Sequence, residues 1–347
     1  MKVATGVTEA LLEVEGLEVC YHVREGTLKA LSDVTFDVKP GEILGIVGES
    51  GCGKSTLSSA LLRLLPPNGE ITGGRMSFKG QDLLQLSTEE IRELRGSDLV
   101  MIFQDPLTSL NPTFTVGTQM VDIQKAHGSH GDASGDVLRQ RAMEMLEQVG
   151  IPDVSDRFGD YPHQFSGGMR QRIMIASALM LEPALLIADE PTSALDVTLE
   201  AQIVELLKRL RETHGTAIIF ISHDLGVVAQ ICDRVVVMYA GRAVEEGDVV
   251  SIFEQPRHPY TQALLAAIPS HLRRGQPLAA IPGRVPSLSA LPLGCKFAER
   301  CPHVRTTCTE HEPALRPVEG GQVRCFIYDP SSGYERSRSS EESEAVA

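Results

Sequence analysis

Three short stretches of the chain are apolar at almost every position. They are EILGIV at 42–47, ALLIAD at 184–189 and TAIIFIS at 216–222. A strand that is buried on both faces has this pattern, so the three stretches predict parallel strands covered by helices. In contrast, LLEVEGLEVCYHV at 11–23 alternates apolar and polar positions, which predicts an antiparallel strand with one solvated face.

Apolar positions at helical spacing separate the predicted strands. Within 138–149 they lie on one face of a helix that Gly150 is suited to end, and similar stretches around it predict a mostly helical insert over about 87–165. Further patterns predict a helix over 55–65 that ends before two prolines, a helix over 198–213, and a hairpin that turns at residues 240–241.

The alternation of strands and helices predicts an α/β fold in which helices cover a parallel sheet on both faces. We expect one domain over 11–255 and an extension over 256–328, where proline becomes frequent. The last stretch, 329–347, is too polar to be buried and is expected to be disordered.

The composition changes this picture little, because 42% hydrophobic and 22% charged residues are ordinary for a globular protein. The formal net charge of −14 argues against a nucleic-acid partner, which would require a basic surface. No apolar run approaches the ~20 residues that cross a bilayer, and the start of the chain does not resemble a signal peptide. We therefore expect a cytosolic protein that reaches any membrane through partners.

A complete phosphate loop follows the first buried strand. GESGCGKS at 48–55 matches G-x-x-x-x-G-K-[ST], with a predicted strand before it and a predicted helix after it. Glycines let backbone N–H groups surround a phosphate, the lysine reaches its oxygens, and the last serine is a Mg²⁺ ligand. The predicted nucleotide contacts here are Gly48, Ser50, Gly51, Gly53, Lys54, Ser55 and Thr56.

Polar residues also follow the other predicted strands. Asp189 suits a Mg²⁺ ligand, and Glu190 beside it can accept a proton from an attacking water. His223 follows TAIIFIS on the ligand side of a parallel sheet, where it can reach the terminal phosphate. Gln104 follows VMIF and can bind Mg²⁺ or water; taken alone, it is more typical of an ordinary polar residue at a strand end. We predict Glu190, His223 and Gln104 as the catalytic group.

A second glycine motif lies in FSGGM at 165–169. Ser166, Gly167 and Gly168 begin a predicted helix, whose N-terminal N–H groups form an anion site that has no lysine of its own. Such a site is suited to a phosphate that is held by another molecule.

These motifs together resemble those of ATP-binding cassette ATPases over about residues 11–255. The resemblance rests on the order and spacing of GESGCGKS, Gln104, Ser-Gly-Gly, LLIADE, SALD at 193–196 and His223. It implies a P-loop NTPase cassette with a parallel-sheet core, an antiparallel β subdomain and a helical subdomain. It also implies that Tyr21 stacks on adenine and that Gln104 couples the site to a membrane domain.

The same resemblance implies that two cassettes pair head to tail. Each ATP then lies between the phosphate loop of one cassette and the Ser-Gly-Gly of the other. Phe165 and Met169 depart from the family pattern LSGGQ, but the part that meets phosphate is intact. We therefore expect a competent site.

Four of the seven cysteines cluster near the end of the chain, at Cys295, Cys301, Cys308 and Cys325. Their C-x5-C-x6-C-x16-C spacing lacks the close pairs that are common in structural zinc sites. It leaves three alternatives: an iron–sulfur cluster, a four-thiolate zinc site with His303 and His311 as substitutes, or unliganded thiols.

The extension has a resemblance of its own. HPYTQALLAAIP at 258–269 and the cysteines resemble the C-terminal extension of cassette subunits in oligopeptide and dipeptide importers, over roughly 253–328. This implies a loop-rich, metal-binding extension with a 4Fe–4S cluster, and it favours the first of the three alternatives.

The predicted function is ATP hydrolysis, with ATP, Mg²⁺ and a 4Fe–4S cluster as cofactors, that powers import of dipeptides or oligopeptides. The expected place is the cytoplasmic face of a bacterial inner membrane. The expected partners are a second, different ATPase subunit, two permeases and an extracytoplasmic substrate-binding protein. Import of nickel or a sugar is the alternative within the family. A soluble cassette ATPase is disfavoured, because the sequence shows neither a coiled-coil insertion nor tandem cassettes.

Overall fold

The structure is a computed structural model that describes residues 10–103, 109–127, 134–193, 195–268 and 281–332. The first half of the chain supplies β1 Leu12–Val23, β2 Gly26–Val38, β3 Ile43–Val47, α1 Lys54–Leu61, β4 Gly69–Phe78, β5 Gln81–Asp82, α2 Thr88–Leu94, β6 Leu99–Ile102, α3 Val116–Ala126, α4 Gly135–Gln148, α5 Val154–Arg157 and a 3₁₀ turn at Pro162–Gln164. The second half supplies α6 Gly167–Leu179, β7 Leu185–Asp189, α7 Val197–His214, β8 Ala217–Ser222, α8 Leu225–Ile231, β9 Arg234–Tyr239, β10 Arg242–Asp248, α9 Val249–Glu254, α10 Pro259–Ala266, α11 Thr306–Glu310, β11 Arg316–Val318, β12 Gly321–Val323 and 3₁₀ turns at Ala298–Arg300, Phe326–Tyr328 and Pro330–Ser332.

Two sheets organise the described chain. The larger sheet has eight strands in the order β11-β12-β10-β9-β3-β8-β7-β6, and its five strands from β9 to β6 run parallel. The smaller sheet is antiparallel, in the order β2-β1-β4-β5. The predicted parallel core, the antiparallel piece and the hairpin at residues 240–241 are therefore confirmed.

The parallel strands are apolar throughout because each of their two faces packs against a separate core. Along β8, Ile218 and Phe220 lie in the core beneath the helices, whereas Ile219 and Ile221 lie in the core beneath the antiparallel sheet. Successive side chains of a strand point to opposite faces, so a strand between two cores is apolar at every position.

The predicted helical insert, 87–165, holds one core strand. β6 pairs in parallel with β7 and completes one side of the large sheet. The helices that follow, α3, α4 and α5, form the helical subdomain, and Leu138, Ala142, Met145 and Leu146 are buried along α4 as the spacing predicts. Gly150 follows the helix with a φ of +78°. VMIF at 100–103, which Gln104 follows, is thus part of a strand as expected, and β6 ends at Ile102.

The extension is joined to the cassette core. Its two short strands, β11 and β12, add to the large sheet at β10. Tyr260 and Phe297 of the extension are buried in the same core as the helices. The prediction of a loop-rich appendage therefore missed its sheet pairing, because strands of three residues carry no readable period.

Some residues of the sequence predictions fall outside the described ranges: Gln104, Ala194 of SALD, Pro269 of HPYTQALLAAIP, and the tail from residue 333 onward. Over the ranges that the structure does describe, no helix is long and apolar enough to cross a membrane.

Candidate functional site

The phosphate loop begins where β3 ends. Gly48 has a φ of +154°, and a Cβ added there would lie 2.3 Å from the backbone oxygen of Met238, so only glycine fits. Gly53 has a φ of +108° and precedes the first residue of α1, Lys54. The loop therefore delivers its N–H groups and a lysine to the positive end of a helix, which attracts a phosphate.

Lys54 turns its side chain back over the loop. Its Nζ donates to the backbone oxygen of Gly48 at 2.7 Å and to that of Glu49 at 3.4 Å. The side chain is buried, so its charge lies inside the loop that would surround a phosphate. This is the position predicted for it.

A cavity of about 560 Å³ opens over the loop, within the range of small-molecule sites. Glu190 and His223 face the loop residues across it. The lining residues are Ala30, Ser50, Gly51, Gly53, Lys54, Ser55, Thr56, Glu190, His223 and Leu288. The structure therefore brings together six of the seven predicted loop contacts, all but Gly48, and two of the three predicted catalytic residues. Ala30 and Leu288 belong to no motif, so no pattern in the sequence indicates them.

Asp189 ends β7 beside the first turn of α1. The Ser58 hydroxyl donates to its carboxylate at 3.4 Å, and the Ser55 hydroxyl also hydrogen-bonds to it. Burial raises the pKa of Asp189, as does the neighbouring Glu190, while Ser58, Lys54 and Ser55 oppose that rise. One carboxylate and one hydroxyl in contact are oxygen donors of the kind that Mg²⁺ prefers, so the residues present fit the ion.

Glu190 and His223 contact each other, with 3.3 Å between Glu190 Oε1 and His223 Nδ1. Glu190 has a φ of +49°, an uncommon conformation for a residue with a side chain. Its N–H donates to the backbone oxygen of Ile221, which ties this turn to β8. The carboxylate is thereby held at the cavity with an imidazole beside it, an arrangement suited to general-base chemistry.

Tyr21 lies at the side of the cavity rather than in its lining. Its hydroxyl is 3.3 Å from the Thr56 hydroxyl, and Thr56 does line the cavity. The structure thus places the ring next to the nucleotide pocket. Its stacking on adenine remains a prediction.

The Ser-Gly-Gly motif begins α6 and lies apart from this cavity. Ser166 caps the helix, and its Oγ accepts from the N–H of Met169 at 3.3 Å. Ser166 and Gly167 are exposed, and neither lines the cleft that holds Lys54. Gly168 packs against Leu199 of α7.

The two unusual residues that flank this motif share one partner. The Arg157 guanidinium lies 4.5 Å from the ring centre of Phe165 and donates to Met169 Sδ at 3.6 Å. It also donates to the backbone oxygen of Gln164 at 3.3 Å. Phe165 and Met169 are therefore a matched pair around an arginine, a relation that the motif comparison could not show.

The four clustered cysteines line one cavity of about 20 Å³, together with His258 and His303. All four are free thiols. Burial raises the pKa of Cys295 to about 11 and that of Cys325 to about 12, so these thiols are neutral at pH 7. His311, the other predicted substitute ligand, is exposed and does not line this cavity.

The predicted metal-binding extension is not supported by this arrangement. Among the residues that the structure describes, no group of three or more His, Cys, Asp or Glu side chains could hold a metal ion. The thiols line one cavity, but as they stand they form no metal-binding group, so the cluster implied by the resemblance is not supported.

The fold and the cleft define a phosphate-loop ATPase of the cassette type. Residues 31–193 match the family described as ABC transporter, and residues 244–308 match the oligopeptide/dipeptide transporter C-terminal region. The chain therefore belongs to the ABC transporter ATPases of the oligopeptide/dipeptide type.

Individual relatives agree with this assignment. A probable peptide ABC transporter ATP-binding protein of Sinorhizobium fredii, y4tR, is 50% identical over 317 residues, which cover 91% of this chain and 94% of that protein. The dipeptide transport ATP-binding protein DppD of Bacillus subtilis is 48% identical, covering 92% and 96%. The dimeric ATP-binding cassette MJ0796 bound to ADP and Pi superposes with a TM-score of 0.62 at 28% identity, covering 69% of this chain and 98% of that chain.

Proposed function

We propose that this ATPase powers the uptake of dipeptides or short oligopeptides. The observation that carries the proposal is a complete nucleotide cleft in the same chain as an extension that matches the oligopeptide/dipeptide transporter C-terminal region. Relatives named as peptide and dipeptide transport proteins cover nine-tenths of the chain, which supports the same substrate class.

The chain's own residues divide the work at the cleft. Lys54 and the loop N–H groups hold the phosphates, and Ser55 and Asp189 would hold Mg²⁺, which neutralises phosphate charge when bound. Glu190 accepts the proton of the attacking water, and His223 beside it orients the terminal phosphate. Gln104 would contribute a further ligand to water or Mg²⁺, and Tyr21 would stack on the base.

Two cassettes would pair head to tail, each using the other's Ser-Gly-Gly. What supports this is that Ser166 and Gly167 are exposed at a helix N-terminus away from their own cleft. A structure of the similar cassette MJ0796 is dimeric, which supports the same arrangement. Pairing would close each cleft, and hydrolysis would reopen it.

The proposed assembly has two permeases, a second and different ATPase subunit, and an extracytoplasmic substrate-binding protein. The chain would sit on the cytoplasmic face of a bacterial inner membrane, attached through the permeases. Purification of this chain from membranes tests both points: we expect two permeases and a second cassette with it. Recovery of the chain alone, outside the membrane fraction, would contradict the proposal.

The substrate class is tested in vesicles that contain the purified assembly and ATP. We expect ATP-dependent accumulation of radiolabelled dipeptide or short peptide, and no accumulation of nickel or a sugar. Accumulation of nickel or a sugar instead would reject peptides while leaving the ATPase assignment intact.

Replacing the proposed base should stop hydrolysis without stopping binding. For Glu190→Gln we expect ATP turnover by the assembled complex to fall by at least about a hundredfold, the size of a general-base contribution. ATP affinity should stay near that of the wild type, because the phosphate contacts are untouched. The matched control is Glu205→Gln, which changes an exposed glutamate on α7. Full turnover by the Glu190 variant, with the partner's site inactivated, would refute this role.

We further propose that Cys295, Cys301, Cys308 and Cys325 bind a 4Fe–4S cluster, one thiolate per iron. What supports this is that four free thiols from distant positions line one cavity. Loading would require that cavity to widen. We expect the anaerobically purified protein to contain iron and sulfide, and the Cys301→Ser variant to lose both. Zinc without iron, or neither element, would reject the cluster.

A further inference from the structure

The extension holds the phosphate loop through one residue of that loop, Glu49. The Arg300 guanidinium donates to both carboxylate oxygens of Glu49, at 2.6 Å and 3.1 Å. The Tyr260 hydroxyl accepts from the backbone N–H of Glu49 at 2.9 Å. Glu49 is thus fixed at its side chain and at its backbone, in both cases by residues of the extension.

Arg300 is buried and held by several neighbouring side chains. Its side chain is 4% exposed, while that of Glu49 is 30% exposed. It donates to the Tyr239 hydroxyl at 3.3 Å, and its guanidinium lies 5.7 Å from the ring centre of Tyr239 and 5.8 Å from that of Phe297. A buried guanidinium needs such partners, since burying an unpaired charge is costly. Its bidentate contact fixes direction as well as distance.

The same side chain also holds a segment that reaches the nucleotide cavity. Arg300 Nε donates to the backbone oxygen of Pro282 at 2.8 Å, and a second nitrogen donates to that of Ile281 at 3.4 Å. Seven residues after Ile281, Leu288 is among the residues that line the cavity. Arg300 therefore contacts both the phosphate loop and the start of a segment that reaches the same cavity.

We propose that Arg300 is a positioning residue for ATP, and that the extension braces the phosphate loop from outside through Arg300 and Tyr260. Glu49 belongs to the loop's internal contacts, because its backbone oxygen accepts from Lys54 Nζ and from the N–H of Cys52. Fixing Glu49 also fixes the backbone oxygen that accepts from Lys54 Nζ, and so helps to position the Lys54 side chain. This proposal rests on the proposed function, in which ATP is the ligand of this cleft. It adds that contacts from the extension contribute to the affinity for ATP.

The test measures Mg-ATP binding to the full-length chain by titration calorimetry. For Arg300→Met we expect affinity to fall by about tenfold, as for the loss of a charge-assisted hydrogen bond. Arg300→Lys should recover only part of it, because an ammonium lacks the fork geometry. Arg316→Met is the matched control: it breaks the extension's ion pair with Asp329, which does not touch the loop, and should bind as the wild type does.

A double-mutant cycle distinguishes a positioning role of Arg300 from a role in stability alone. If Arg300 acts through Glu49, then Arg300→Met should weaken binding far less in a Glu49→Gln background than in the wild type. In the assembled transporter the KM for ATP should rise with kcat nearly unchanged, since Glu190 and His223 are untouched. Equal losses in both backgrounds, or a lowered melting temperature with unchanged ATP affinity, would overturn the proposal.

Tyr260→Phe gives an independent reading should Arg300→Met fail to fold. It removes one hydroxyl and keeps the ring that packs on Tyr239, with 4.6 Å between the ring centres. We expect ATP affinity to fall about threefold, and wild-type affinity would count against the brace. If the unaltered chain itself bound no ATP, the proposed function would fail instead, so the two failures are distinguishable.

Discussion

Arg157 gives a physical reason for the two unusual residues beside Ser166–Gly168. It stacks on Phe165 on one side and donates to Met169 on the other, and it also contacts Asp160 at 3.4 Å. An aromatic ring and a polarisable sulfur both make favourable contacts with a guanidinium. The family residues would replace the ring of Phe165 by the weaker contact of a Leu side chain, and the sulfur of Met169 by the amide of Gln. The two residues that flank the motif therefore share Arg157 as a partner, and the Ser-Gly-Gly between them is intact.

Removing Arg157 should disturb the start of α6 more than removing a similar arginine elsewhere. For Arg157→Ala we expect ATP turnover of the assembled complex to fall several-fold, because the residues on both sides of Ser166–Gly168 lose their shared contact. Stability should fall by about 1 kcal/mol, the scale of a partly buried cation–π contact.

Arg139→Ala is the control for that variant, since Arg139 lies 4.6 Å over the ring centre of Phe158 in the same subdomain. Arg139→Ala should lower the free energy of unfolding by a similar amount but leave ATP turnover unchanged. Chemical denaturation and ATPase rates of both variants check this, and equal turnover in the two would contradict a role for Arg157 in the motif.

At the scale of elements, α10 depends on a buried histidine. His258 caps the helix, with its Nδ1 accepting from the N–H of Tyr260 at 3.0 Å. Burial lowers the pKa of His258 from 6.5 to about 3. Below about pH 6.5 the unfolded chain takes up a proton on this residue while the folded chain does not, so stability falls as the pH falls.

Replacing His258 should therefore make the protein less sensitive to acid. Between pH 7 and pH 5 we expect this group to cost the wild type about 2 kcal/mol, and His258→Asn, which can still cap a helix, should lack that loss. Urea denaturation at the two pH values measures it. The control is His311→Asn at an exposed position, which should follow the wild type. An unchanged pH dependence in His258→Asn would contradict the assignment.

Elements with a strong local pattern could be predicted from the sequence, and those that depend on distant partners could not. β3, β7 and β8 are apolar runs, and GESGCGKS has a fixed meaning between a strand and a helix, so the core and most of the cleft were predictable. β11 and β12 have three residues each and depend on pairing with β10. The contact between Arg300 and Glu49 spans 251 positions, and no local spacing indicates it.

At the scale of the whole molecule, Arg324 ties the extension to both sheets. It is 4% exposed and donates to the backbone oxygen of Ala243 at 3.0 Å and to that of Asp33 at 3.2 Å. Its guanidinium also lies 2.9 Å from the Asp33 carboxylate. One side chain thus joins β12's end to β10 and to β2 of the smaller sheet.

Removing the contacts of Arg324 should lower the stability of the whole protein. For Arg324→Met we expect the free energy of unfolding to fall by about 3 kcal/mol, because buried oxygens lose their donor. Arg75→Met is the control, since Arg75 pairs with Glu15 at 4.0 Å on an exposed surface and should matter by less than about 0.5 kcal/mol. A similar small loss for Arg324→Met, by the same denaturation assay, would show that the extension is only loosely attached.

The pairing of β12 with β10 also bears on solubility. Without the extension, β10 would be an edge strand with a row of unpaired N–H and C=O groups, which is a template for aggregation. The hairpin covers that row, and its own outer strand, β11, carries Pro317, which has no N–H to offer. The extension thus ends the sheet in a strand that resists further addition, and shortened forms of the chain that stop at residue 255 would lose this protection and self-associate.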